Sequence, residues 1–421
     1  MQILSVQINH LQQITMEISN ITQQFIEQHL NDDVRSLALK KAPGDVDLQF
    51  ALTQISGHRY ALNKIPEWAS ARGIIYPKHL SLEQCTNQHI ALYKRNYIKN
   101  AIGKEQWSMA DFTGGMGIDC YYLSCKDRQT LYNEMDEMLC NITEHNYKIL
   151  GRTDISISNS CAEEFIENNS NLQFDLAYLD PARRSAGGQK LVSLSDCMPD
   201  ITQLQDKLLL LAEHVAVKVS PMLDLSKGLN ELKCVKQVLV ISLDGECKEM
   251  LYILERGYTD APAIEAVNIS SSGIVSDITS ATPQKEKNTL ANYADEMEIS
   301  EGCYLYEPFA AQMKSGLYNT LADNYNAKII SPVSHLYISE KRIERFPGRR
   351  FRISESVPFN KRSAKEFFIK YPQANIAVRN FPLKAEELRM KFKIKDGGNT
   401  YIFGTNTNQN NNILIACTKD N

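Results

Sequence analysis

The segment DFTGGMGID, Asp111 to Asp119, ends an apolar run on an acid and follows it with closely spaced glycines. Backbone without a Cβ at Gly115 and Gly117 lets a bound nucleotide-like group come close to the chain, and the helix that follows offers amide donors. Asp111 can anchor an ammonium group there, directly or through water, with Thr113 in the same turn. A dinucleotide-binding turn prefers a further glycine where Cys120 stands, so the pattern favours S-adenosylmethionine over a nicotinamide cofactor. Taken alone, the glycines could equally make a tight strand-to-helix turn.

Other residues sharpen that reading by position. In YNEMDE, Glu134 stands where a carboxylate accepts ribose hydroxyls, about 20 residues beyond the glycines. NSCAEEF brings Cys161 and Ala162 beside an adenine. DPARR offers Asp180 and a turn fixed by Pro181, able to hold a target amine or base edge in line with a reactive methyl group. Arg183 or Arg184 could grip a phosphate or base edge with two parallel bonds, or simply form an exposed basic turn. In KVSPMLDL, Lys218, Ser220 and Pro221 reach the same edge as walls of a substrate pocket. Cys247, in DGECKE, reads as a plain thiol rather than a nucleophile.

These motifs need a scaffold that delivers strand ends to one edge. Between Trp107 and Arg256, short apolar runs alternate with helical segments, the signature of a parallel α/β sheet with crossover helices. Candidate strands fall at 108–112, 130–134, 155–159, 175–180, 214–220, 235–243 and 249–256. The last two are joined by a turn at Asp244 and Gly245. The expected fold is a doubly wound, seven-stranded Rossmann-like sheet ending in a hairpin.

Four domains are expected: a helical domain over 1–80, the sheet domain over 81–256, a small α+β unit over 257–345 and a basic domain over 346–421. One helix is expected from about Leu82 to Lys99, and another over AAQMKSGLYNTLAD. The stretch from Gly257 to Tyr293 reads as a linker with one or two weak strands. YIFGT and ILIACT suit a hairpin around a polar loop.

The chain has 421 residues, 43% hydrophobic and 23% charged, with a formal net charge of −4. That composition is globular and gives the whole chain no electrostatic case for a polyanionic partner. No apolar run approaches the roughly 18 residues of a membrane span, and the N-terminus lacks a secretory pattern, so a cytoplasmic location is expected. The ten cysteines show no zinc-ligand spacing, so no metal is expected. Between Lys341 and Lys395, however, 16 Lys or Arg stand against 5 Asp or Glu. RFPGRRFRI, with Arg349, Arg350 and Arg352, and FNKRSAKEFF interleave these cations with Phe, which would offer phosphate pairing and base stacking together, or else form a solvated basic face over buried Phe.

With these residues placed, the chain resembles the class I S-adenosylmethionine-dependent methyltransferases of a bacterial group with a small ferredoxin-like domain followed by a THUMP-like domain. QISGHRYALNKIPEW, IIYPKHLSLEQ, DFTGGMGID, LDPARR, KVSPMLD, GECKE, YEPFAAQMKSG and SHLYIS carry the resemblance nearly end to end. It implies cofactor contacts at Asp111, Gly115, Gly117 and Glu134, and substrate-side roles for Asp180 and Pro181. It also implies a structured RNA, tRNA or rRNA, as partner. The expected activity is methylation of an RNA base. A catalytically silent RNA-binding protein, or a methyltransferase acting on protein or a small molecule, are the alternatives.

Overall fold

The computed structural model describes residues 18–39, 44–183 and 193–420. The chain divides into two compact units, the first of residues 1–237 and 250–260, the second of 238–249 and 261–421.

The first unit opens with α1 (Asn20–His29), α2 (Val34–Ala38), α3 (Leu48–Lys64), α4 (Pro66–Ser70) and α5 (His79–Gln84). Side chains start several of these helices: Ser19, Asp33 and Asp47 each accept an amide of the first turn. The expected helix from Leu82 to Lys99 is broken. Cys85 and Thr86 leave the helical path, and Asn87 caps a new helix, α6 (Gln88–Ile102), closed by left-handed Gly103. That break puts the Thr86 side chain inside the unit, where it is 4% exposed.

The sheet follows, with β1 (Met109–Asp111), β2 (Thr130–Glu134), β3 (Ile155–Asn159), β4 (Phe174–Leu179), β5 (Ala212–Val219), β6 (Val235–Leu243) and β7 (Glu246–Glu255). These seven run in the order β3-β2-β1-β4-β5-β7-β6 within a sheet of nine. β1 to β5 are parallel, and β7 returns antiparallel along β5, pairing His214 with Glu255 and Val219 with Met250. All seven strands lie within two or three residues of their expected bounds; most are buried and read as apolar runs, while the half-buried β3 reads as the alternation ISISN. The crossover helices are α7 (Ile118–Leu123), α8 (Glu137–Ile149), α9 (Ala162–Asn168), α10 (Ile201–Leu211) and α11 (Leu225–Glu231). Trp68, Ala61 and Leu82 from the N-terminal helices share one core with Cys120, Tyr132 and Tyr147, so those helices shelter the flank of the nucleotide-type turn.

In the second unit the hairpin tip runs beside β8 (Ala263–Ile269), which pairs with β9 (Thr279–Ala281). A seven-stranded sheet then combines β10 (Tyr304–Pro308), β11 (Lys328–Ile329), β12 (Tyr337–Ser339), β13 (Gly348–Pro358), β14 (Asn375–Arg379), β15 (Thr400–Asn406) and β16 (Asn412–Lys419), in the order β11-β12-β10-β13-β16-β15-β14. The hairpin expected from YIFGT and ILIACT is β15 and β16. The single helix expected over AAQMKSGLYNTLAD is two, α13 (Ala310–Ser315) and α14 (Tyr318–Tyr325), after α12 (Pro283–Asn288), because Gly316 adopts φ 75°. α15 (Lys361–Lys370) and α16 (Ala385–Phe392) bury Phe367, Phe368 and Leu388 with Ile402 and Leu414.

Among the described residues no helix is long and apolar enough to cross a membrane, and no group of three or more His, Cys, Asp or Glu could hold a metal ion.

Candidate active site

A cavity of about 300 Å³ opens in the first unit at the carboxyl ends of β1, β2 and β4, where ligands of such sheets bind. Asp111, Thr113, Gly115, Glu134, Cys161, Ala162, Asp180 and Lys218 all line it. Sequence distance is thus collapsed into one pocket by strands that end together.

Asp111 closes β1 and is 1% exposed, its Oδ1 accepting the Thr113 amide at 3.0 Å. Burial, with the neighbouring Asp119, Asp180 and Glu134 carboxylates, pushes its carboxyl well above the usual range. Thr113 Oγ1 accepts the Asp180 amide at 2.6 Å, tying the turn after β1 to the turn after β4. Glu134 is held by two backbone donors: the amides of Gly115 and Asp136 reach its Oε2 and Oε1, each at 2.9 Å. Each oxygen keeps a lone pair for a further donor.

Two glycines are required by packing. A Cβ on Gly114 would lie 2.1 Å from the Tyr132 ring, and one on Gly117 would lie 2.5 Å from the Tyr147 hydroxyl, at a φ of 81°. Gly117 does not line the cavity; it opens α7, and its carbonyl accepts from Tyr147 at 2.7 Å. Gly114, unremarked in the sequence, does line it.

On the far wall Cys161 caps α9, with Sγ 3.9 Å from Glu164 Oε2. Ala182 pairs with Met198 in a two-residue ribbon, and both reach the cavity. Pro181 is buried outside the lining. The Arg183 side chain and Arg184 lie outside the described residues. Ser220 is not among the lining residues; its hydroxyl accepts the Met222 amide at 3.3 Å.

Around Lys218 and Asp180 the floor holds two charges that the sequence did not single out, Lys94 and Asp119. Lys94 on α6 is 0% exposed and places Nζ 2.7 Å from Asp119 Oδ1 and 3.1 Å from the Tyr178 hydroxyl. Thr86 donates to Asp119 Oδ2 at 2.7 Å. Lys218 Nζ lies 2.6 Å from Asp180 Oδ2, 3.1 Å from Thr86 Oγ1 and 3.4 Å from Asp119 Oδ2. Burial alone would raise the Asp119 carboxyl, but the cations of Lys94 and Lys218 hold it below the usual range. Two lysines and two aspartates therefore form one connected, largely buried cluster.

Residues 304–347 match a ferredoxin-like domain and residues 348–419 a THUMP domain-like family. A crystal structure from Porphyromonas gingivalis W83, of a protein proposed to be a methyltransferase, superposes with a TM-score of 0.80 at 29% identity, covering 95% of this chain and 98% of that one. The chain has the class I methyltransferase fold, followed in sequence by ferredoxin-like and THUMP-like domains. Partial similarities to this methyltransferase fold include an S-adenosylmethionine-dependent methyltransferase from Agrobacterium tumefaciens (14% identity, 40% of this chain and 62% of that one, TM-score 0.31). Another is a proposed RNA methyltransferase from Pyrococcus horikoshii (14%, 45% and 96%, 0.32). Curated proteins give no sequence match.

Within the second unit, the basic stretch is less available than its composition suggests. Arg349 and Arg379 both pair with Glu307, and Arg350 and Arg342 with Asp420. Arg352 bonds the Tyr304 hydroxyl and lies over its ring, 4.8 Å from the centroid. Of the two readings of the interleaved Phe, burial holds over base stacking for Phe351, through alternation along β13, and for Phe367 and Phe368, on the inner face of α15, while Phe346 is buried against Tyr306 and Tyr337. Cys247 belongs to the hairpin tip of the second unit, and burial pushes its thiol up to about 12, as expected of an inert thiol.

Proposed function

We propose that this chain is an S-adenosylmethionine-dependent methyltransferase that modifies a base in structured RNA, tRNA or rRNA. The observation that carries the reading is the convergence of Asp111, Glu134 and Asp180 on one cavity at the carboxyl edge of the sheet.

The residues fit the cofactor. Asp111 is a buried acid with no cation at ion-pair distance among the described residues, and an ammonium group there would relieve its raised carboxyl. Glu134, fixed by two backbone amides, presents its remaining lone pairs to ribose hydroxyls, while Cys161 and Ala162 border the adenine position. S-adenosylmethionine supplies an electrophilic methyl group. The protein's own contribution is positioning: Thr113 fixes the backbone of Asp180, and Lys218 fixes its carboxylate, so that an acceptor is held in one orientation. Methyl transfer falls to residues 81–256 and the RNA grip to the basic domain 346–421, through exposed cations such as Arg362 on α15, 89% exposed, rather than through its Phe.

Transfer of labelled methyl from S-adenosylmethionine to total RNA tests the reading. The full chain should label RNA, and Asp180→Asn should bind the cofactor normally while losing transfer. Full activity in that variant removes Asp180 from the chemistry.

A further inference from the structure

The pair at the acceptor wall says more about the substrate than the fold does. Lys218, 8% exposed, and Asp180, with 37% of its side chain exposed, sit side by side on the cavity. Beneath them Asp119, Thr86 and Lys94 complete the buried cluster. Burying ions is costly even when they are paired, and such clusters in clefts are candidates for function. Lys218 can only donate and an ionised Asp180 can only accept. A planar group entering between them would exchange their mutual 2.6 Å contact for one bond to each. That group must present an acceptor to Lys218 and an adjacent N–H to Asp180.

Two kinds of nucleobase edge have that alternation. An amidine edge offers a ring-nitrogen lone pair beside an exocyclic amine; a lactam edge offers a carbonyl oxygen beside a ring N–H. The cation decides between them. On an amidine, Lys218 would draw electron density from the amine that must attack the methyl group. On a lactam, the same cation stabilises the negative charge that grows on oxygen as the ring N–H loses its proton.

We propose, resting on the reading above, that the methyl acceptor is the ring N–H of a lactam base of guanine or uracil type, with Lys218 holding its carbonyl oxygen and Asp180 receiving its proton. The nitrogen electron pair forms the new N–C bond. The C–S bond of the sulfonium breaks with its electrons left on sulfur, and the N–H proton passes to Asp180 as attack begins, so that the negative charge it leaves is shared with the carbonyl oxygen held by Lys218. The solvent-facing part of that carboxyl returns it to water. Met198, 49% exposed at the cavity, offers a polarisable surface to the ring face. Asp119 is a positioning residue: it bridges Lys94 and Lys218 and keeps the Lys218 ammonium beside Asp180.

RNA methylated by the full-length wild-type chain with labelled cofactor, digested to nucleosides and resolved by mass spectrometry, decides the matter. The expected product is a guanosine or uridine carrying the methyl on a ring nitrogen. Label on an exocyclic amine, a ribose oxygen or a ring carbon overturns this proposal and leaves the methyltransferase reading standing. No transfer and no cofactor binding overturns that reading and this one with it. In parallel, Lys218→Met should lower kcat by about a hundredfold to a thousandfold, with cofactor binding retained and Lys218→Arg recovering part of the loss. A folded Lys218→Met that turns over at the wild-type rate contradicts the assignment.

Discussion

The cavity floor and the C-terminal sheet are both dense in charge, and they use it in opposite ways. At the floor, Lys94, Asp119 and Lys218 have side chains no more than 10% exposed, so every charge needs a partner and removing Asp119 takes a carboxylate from both lysines. On the C-terminal sheet and its helices, Arg349, Arg362 and Arg379 are 41–89% exposed, and their ion pairs are screened by water and salt. The first arrangement fixes geometry; the second leaves cations that a polyanion can compete for. Charge counted along the sequence drew attention to the second region, whereas burial puts the stronger electrostatics in the first.

The sharpest way to break the comparison is Asp119→Ala, which leaves Lys94 buried without its carboxylate and should cost about 3–5 kcal/mol in urea unfolding. A loss too small to measure would mean that the cluster is not a buried unit. Next in size, Glu134→Gln should weaken S-adenosylmethionine binding by roughly tenfold to a hundredfold in calorimetry, the worth of about 1.5–3 kcal/mol for a bond to a charged group, with unfolding little changed.

Asp111→Asn should do the reverse of Asp119→Ala. A carboxyl raised on folding lends stability that is fully present below the ordinary carboxylate range and lost as pH rises through its raised value. The wild type therefore loses stability over that window and the Asn variant does not. Near neutral pH the variant should be more stable by about 1 kcal/mol, yet bind the cofactor less tightly. Thermal unfolding over a pH series checks it; parallel curves for the two proteins would contradict it. The smallest effect is expected at Arg362→Ala on the exposed side. Its denaturation midpoint should match the wild type, while the slope of log K for RNA against log salt should fall by about one if Arg362 meets a phosphate.

Much of the fold and half of the site were legible. Strands β1 to β7 came from apolar or alternating runs bounded by turns, and Asp111, Glu134 and Asp180 were found because each ends such a run. What stayed hidden has physical causes. Lys94 sits in a polar-looking helix, and only the break at Cys85 to Asn87 reveals that Thr86 turns inward. Asp119 lay within a quoted motif, but as a first-turn acid of α7 it looked like an ordinary helix residue. Gly114 is required by the Tyr132 ring, a contact made by the next strand and invisible to local spacing. The Phe of the basic stretch stayed undecided because alternation along β13, which sends Phe351 and Ile353 inward and Arg352 outward, needs the strand to be recognised first.

The central claim is that the cavity at the ends of β1, β2 and β4 is built for S-adenosylmethionine, and titration calorimetry of the full chain tests it most directly. The account predicts saturable one-to-one binding that Glu134→Ala abolishes without altering the circular dichroism spectrum. No saturable binding by the folded wild-type protein, or equal binding by both, would contradict it.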